Sequence, residues 1–187
     1  MKTLRYFLIV GFALVWMQAN SQTMGLKGGL NVSSIGGDAQ GVESRLAYHA
    51  GLFYNMRIND VLGFQPEVVY SSQGAQLEAN NDLKVIYNYI NVPLMFKYYA
   101  NENFNIQAGP QVGIMASAKA KFEDVDEDIK DQLEPVDLGI GIGLGYEINK
   151  LQFVARYNYG LTSTAKDSGD EHYPNRIFQI GVGYVLR

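Results

Sequence analysis

Six charged residues, Lys27, Arg57, Glu67, Lys97, Glu147 and Arg156, occupy the polar positions of segments that otherwise alternate apolar and small residues. Carboxylates and cations gathered into one interior can neutralise each other as ion pairs, or can relay protons and ions along a polar path. An unpaired buried charge is costly, so pairing with supporting hydrogen bonds is the tolerable arrangement. That favours a structural network, in which Glu67 meets Arg156 or Lys27 across the interior. A gated proton or ion path is the alternative. Arg45, Asp137 and Arg187 fall nearer the segment ends and are expected at the rims.

Other residues offer chemistry of lower specificity. His49 and His172 are the two histidines of the chain. Asp167, Ser168 and His172 bring a hydroxyl, a base and a carboxylate into one polar segment. A nucleophile needs its base within hydrogen-bond reach and a third group to orient that base, and the spacing shows neither. The run Gly139-Ile140-Gly141-Ile142-Gly143-Leu144-Gly145 lacks the strand, turn and helix start that a nucleotide fingerprint requires. Its glycines are expected instead to make room for long neighbours such as Arg156. Residues 119–135 hold seven acids and three lysines. Asp124, Asp126 and Asp128 match the opening of a calcium loop, but Ile129 replaces the required glycine and Pro135 the closing glutamate. A solvated acidic loop is expected, with weak divalent binding as the alternative. No catalytic residue, metal ligand or cofactor is expected.

The elements that must position these groups follow from a period of two. Eight strands are predicted, at about 23–34, 45–58, 62–74, 85–99, 104–117, 136–148, 151–162 and 176–187. In each, one parity is apolar and, but for Arg176 at the start of the last, free of Asp, Glu, Lys and Arg, as in Leu138, Ile140, Ile142 and Leu144. The other charges sit on the opposite parity. A soluble sheet hides its apolar face, but eight such faces cannot share one small core. The pattern predicts a closed, up-and-down antiparallel transmembrane barrel, greasy outside and filled with polar side chains inside. Predicted connections alternate between loops of about 10 to 17 residues and tight turns at 59–61, 100–103 and 149–150. An even strand count with long loops at one end is the outer-membrane arrangement. Tyr48, Tyr70, Tyr98, Tyr146, Tyr159 and Tyr184 lie near the ends of outward runs, where an interfacial girdle belongs. Pro66, Pro93 and Pro110 fall within strands and suggest bulges there.

Residues 1–21 read as a cleaved secretory signal. Lys2 and Arg5 precede the apolar run Phe7 to Met17, and Ala19-Asn20-Ser21 supplies small residues before a cut at Gln22. The run is too short to span a bilayer as a helix. The barrel domain then comprises residues 22–187. Losing Lys2 and Arg5 takes the 15 basic residues to 13 against 19 acidic ones, a mature charge of −6, which disfavours nucleic acid as a partner. Cysteine is absent, so no disulfide braces the exported chain.

The stretches GLKGGLNVSSI, YHAGLFYNMRI, LGFQPEVVYSSQGA, YINVPLMFKYY, FNIQAGPQVGIM and DLGIGIGLGYEI together resemble the PorT-type outer-membrane β-barrel family over essentially the whole mature chain. Gln65-Pro66-Glu67, Asn91-Val92-Pro93-Leu94 and Gly109-Pro110-Gln111 are the most specific pieces. The resemblance implies residence in the outer membrane of Gram-negative bacteria and a link to protein secretion. One departure is the ending Tyr184-Val185-Leu186-Arg187, where such barrels often close on an aromatic residue. The expectation is a monomeric, non-enzymatic structural or accessory protein in contact with outer-membrane lipid and lipopolysaccharide. Other envelope or secretion proteins are the further partners that the resemblance implies. A narrow passive channel and a lipid-modifying hydrolase are the alternatives from other classes.

Overall fold

A computed structural model describes residues 22–37, 42–77, 80–122, 125–164, 166 and 173–186. The predicted signal segment 1–21 lies outside them. The described chain is almost all strand: β1 (Gln22–Ile35), β2 (Val42–Arg57), β3 (Leu62–Leu77), β4 (Asn80–Tyr99), β5 (Phe104–Phe122), β6 (Val125–Asp128), β7 (Val136–Ile148), β8 (Leu151–Gly160) and β9 (Asn175–Val185), with one 3-10 turn at Lys130–Gln132. Every ladder is antiparallel. Neighbours run β4-β3-β2-β1-β9-β8-β7-β5, and a β4–β5 ladder closes the ring. Eight strands thus form the barrel. The short β6 stands outside the ring and pairs with the tip of β5.

The charge-free parity points outward. Leu46 is 66% exposed, Ile142 60% and Ile180 58%, whereas Glu67, Lys97 and Arg156 are 1–2% exposed. Met56 follows the outward parity yet is buried, between Gln22 and Phe64 on the neighbouring strands. An apolar exterior of this extent is unstable in water and stable in hydrocarbon. Tyr98, Tyr146 and Tyr184 are exposed near the tightly turned ends of their strands, whereas Tyr48 and Tyr70 are exposed in mid-strand, because β2 and β3 run on past them, and stand with ring centroids 6.3 Å apart.

One end of the barrel is tightly turned. The Asn59 side-chain oxygen accepts the Val61 and Leu62 N–H groups at 3.0 and 2.8 Å. Asn101 does the same for Asn103 and Phe104, at 3.0 and 2.8 Å. Both are Asx turns, in which a side chain mimics a backbone acceptor. The two-residue turn Asn149-Lys150 instead uses a left-handed residue, Asn149 at φ 53°, the conformation that such hairpins favour. Both ends of the described barrel lie here too: Leu186 N–H bonds to Met24 and Val185 N–H to Lys150.

The other end departs from the prediction. The loops expected after the third and fifth strands are largely strand: β3 and β4 run on to Leu77 and Asn80, and β5 and β6 to Phe122 and Val125. The long β4–β5 ladder, from Leu83 opposite Phe122 down to Tyr99 opposite Asn105, extends this sheet beyond the ring. Polar hairpin tips carry little strand propensity, so their pairing is set by the partner strand and not by local sequence. Register shifts occur between Ser44 and His49, Gln76 and Leu77, and Asn88 and Tyr89, not at the three prolines. Pro66 and Pro93 border short interruptions in the ladders, where a missing N–H costs nothing. Gly74 adopts φ +124°, and a Cβ there would collide with the Val85 carbonyl oxygen, so this point of β3 takes glycine.

Candidate functional site in the barrel lumen

The centre of the lumen is organised on one carboxylate. Glu67 of β3 accepts the Lys27 ammonium at 2.7 Å and two guanidinium bonds from Arg156, at 3.0 and 2.8 Å. Arg156 comes from β8, across the ring, and also donates to Gln107 at 2.6 Å. Gln65 donates to Glu67 at 2.8 Å. The fork-to-fork geometry and full burial make this the strong form of an ion pair. It sits where it does because inward glycines clear the way. Gly143 lies opposite Arg156, and a Cβ on Gly141 would be 3.3 Å from the arginine side chain.

A second cluster sits toward the turn end. The Lys97 ammonium is 2.8 Å from Glu147, whose same oxygen accepts Tyr99 and Asn105 at 3.1 and 3.2 Å. Arg57, expected in the same network, is not joined to a carboxylate among the described residues. It is the last residue of β2, so it reaches the mouth, where it donates to the Glu102 carbonyl at 2.9 Å and covers the Tyr99 ring at 3.7 Å. A polar vestibule of about 130 Å³ opens there, lined by Asn55, Arg57, Glu147 and Gln152 among others.

Of the predicted rim residues, Asp137 accepts Thr162 at 2.8 Å and Asn175 at 3.0 Å, and Arg45 donates to Ser72 and to the Gln73 carbonyl. Arg187 lies outside the described residues. His49 is buried and bonds Asn31 through Nδ1 at 2.8 Å. Asn31 is a hub that the sequence did not flag. Its amide donates to Ser71 and to the Ser72 carbonyl, and its oxygen also accepts Gln179 at 3.0 Å. An Asn in an alternating strand looks like any polar filler, and only the ring closure brings β9 within its reach.

A third feature also escaped prediction. Tyr87, Tyr89, Met115, Ala118 and Leu133 form an apolar cluster at the loop end, flanked by Ile35, Val85 and Ile129. Inward aromatics at Tyr87 and Tyr89 were the available signal. Between these layers the space beside Lys27, His49, Gln65 and Gln179 is nearly filled: the cavity there measures about 10 Å³, room for one water at most.

Of the other candidates, Asp167, Ser168 and His172 lie outside the described residues, as does Asp124. Asp126 bridges Lys119 and Lys121 at 3.4 and 3.0 Å, and the hydrogen bond from Lys121, with help from Lys119, holds its carboxyl below the usual carboxylate range. Asp128 accepts the Lys130 N–H. The glycine run lies wholly within β7.

Comparison with known proteins agrees with this geometry. Residues 18–166 match the family described as the outer membrane protein beta-barrel domain. The chain belongs to this outer-membrane barrel family. Its place is therefore the outer membrane, where barrels as a class turn their short connections to the periplasm and their long ones outward. Among solved structures, Neisserial surface protein A is similar at TM-score 0.62 and 13% identity, over 88% of this chain and 99% of that one. Ail, the attachment invasion locus protein of Yersinia pestis, is similar at TM-score 0.54 and 17% identity, over 89% of this chain and all of that one. At these identities the likeness is one of fold. No curated protein matches the sequence significantly.

Proposed function

We propose that this outer-membrane barrel is a non-enzymatic structural or accessory component of the envelope, monomeric within the bilayer, that works through its extracellular sheet and periplasmic turns. The closed lumen carries this reading. Glu67, Lys27 and Arg156 cross its middle, and the Tyr87–Tyr89 cluster caps it. A barrel that passes nothing through its centre acts at its surfaces, and loops held on a rigid scaffold are where such proteins carry recognition. The five paired lumen charges, Lys27, Glu67, Lys97, Glu147 and Arg156, are then a structural brace, with Arg57 at the mouth. The PorT-type resemblance supports the protein-secretion machinery as the partner. Crosslinking in intact cells, with secretion assayed after deletion, tests this: a reproducible envelope partner and impaired secretion are expected. No partner and normal secretion would count against it.

The periplasmic vestibule is the one observation that favours a narrow solute channel instead. In planar bilayers the purified barrel is expected to leave the membrane at its baseline conductance. Steady unitary openings would replace the brace with a path.

A further inference from the structure

The mouth at the tightly turned end holds a cation and a carboxylate that do not meet. Arg57 closes β2 and Glu147 stands next to the end of β7, and both line the vestibule of about 130 Å³. No ion pair within 4.0 Å joins them. Tyr99 stands between the two. The Arg57 guanidinium lies 3.7 Å from the centre of its ring, and its hydroxyl donates to Glu147 at 3.1 Å. The charges are thus a tyrosine ring apart, too far to pair and near enough for two ends of one small molecule.

The vestibule wall keeps bonding capacity that the barrel itself does not use. Lys97, Tyr99 and Asn105 all donate to Glu147 Oε1, and Oε2 has no partner among the described residues. Asn55 is 4% exposed and donates through Nδ2 to the Tyr99 hydroxyl at 3.2 Å, while its Oδ1 is buried without a partner. A buried acceptor left unmade is costly, so this one marks a place for a donor. Asn55 and Glu147 touch the same hydroxyl and are therefore neighbours. Two neighbouring acceptors are met together by an ammonium, which carries three N–H donors, whereas a hydroxyl carries one. A guanidinium such as that of Arg57 takes a carboxylate. The vestibule of about 130 Å³ has the volume of about four waters in the liquid, which limits the bound group to a few non-hydrogen atoms.

We propose that the vestibule binds a small α-amino acid, its carboxylate on Arg57 and its ammonium on Glu147 Oε2 and Asn55 Oδ1. The open mouth admits a free amino acid, or the amino-acid end of a longer chain such as a cell-wall stem peptide. Short connections face the periplasm in barrels of this class, so the ligand comes from that side. Glu67 and its two cations lie deeper in the lumen, so the site binds without conducting. It is independent of the accessory role and of any secretion partner.

The isotope-labelled barrel in lipid nanodiscs is titrated with alanine and followed by NMR amide shifts. Millimolar alanine is expected to shift signals around positions 55, 57, 147 and 152 and to leave those around Glu67 in place. N-acetylalanine and lactate lack the ammonium, and alaninamide lacks the carboxylate. Each is expected to bind about tenfold more weakly or worse, the worth of one charge-assisted contact. Arg57→Gln should weaken alanine by about the same factor. Lys150→Gln, in the neighbouring turn but outside the vestibule wall, should leave it unchanged. If Arg57→Gln does not fold, the ligand series on wild type decides. A stem peptide with a free diaminopimelate end separates the two sources: binding tighter than alanine supports a cell-wall ligand, and equal or weaker binding supports free amino acids. No shift at the vestibule with alanine, binding of any of the three analogues equal to that of alanine, or unchanged affinity in folded Arg57→Gln overturns the proposal.

Discussion

Glu67→Gln is expected to cost about 3–5 kcal/mol of stability, a large share of what holds a small domain together. The wild-type carboxylate receives Lys27 and both terminal nitrogens of Arg156 inside a lumen that water scarcely enters. A neutral amide keeps the volume and removes the charge. Two cations then remain buried near each other without their shared carboxylate. Removing one cation costs less, because Lys27→Met leaves the Glu67–Arg156 fork intact as a neutral pair. Urea unfolding of the reconstituted barrel, followed by circular dichroism and by gel migration, measures both. An effect of Glu67→Gln no larger than that of Lys27→Met would mean that the carboxylate is not the hub of the lumen.

Ile142→Arg is expected to cost about 2–4 kcal/mol, the penalty for a cation on the lipid face near the bilayer midplane. Ile142 sits at the middle of β7 and is 60% exposed, so in a water-soluble protein the same change would be nearly neutral. The penalty should fall toward zero for Ile148→Arg at the periplasmic end of the strand. Unfolding from lipid vesicles gives both values, and a flat profile along β7 would mean that the exterior is wetted.

The barrel was legible in the sequence because its signal repeats every two residues over eight strands. Outward positions could not be confused with inward ones: Leu138, Ile140, Ile142 and Leu144 share one parity, and each is exposed. The meeting of Glu67 with Arg156 was also legible, since strands on opposite sides of a small ring face each other across the lumen. Height along the barrel was not. Parity says that Arg57 faces inward, but only the register shows that it ends its strand and leaves the network for the Tyr99 ring. The Lys97–Glu147 pair needed the ladder through β5 that sets β4 against β7. The extended hairpins were hidden for a related reason. Residues such as Lys84 and Lys121 read as loop, and they become strand because Leu83 pairs with Phe122 beside them.

Which side of each strand meets hydrocarbon can be read directly, because the chain has no native cysteine. Single cysteines placed in turn from position 138 to position 145 of β7 would carry an environment-sensitive fluorophore in lipid vesicles. Alternation is expected: labels at 138, 140, 142 and 144 should be blue-shifted and quenched by brominated lipid, while cysteines at 139, 141, 143 and 145 should resist labelling or escape that quencher. Water-exposed labels at 140 and 142, quenched by iodide and not by lipid, would contradict an oil-facing exterior around a packed lumen.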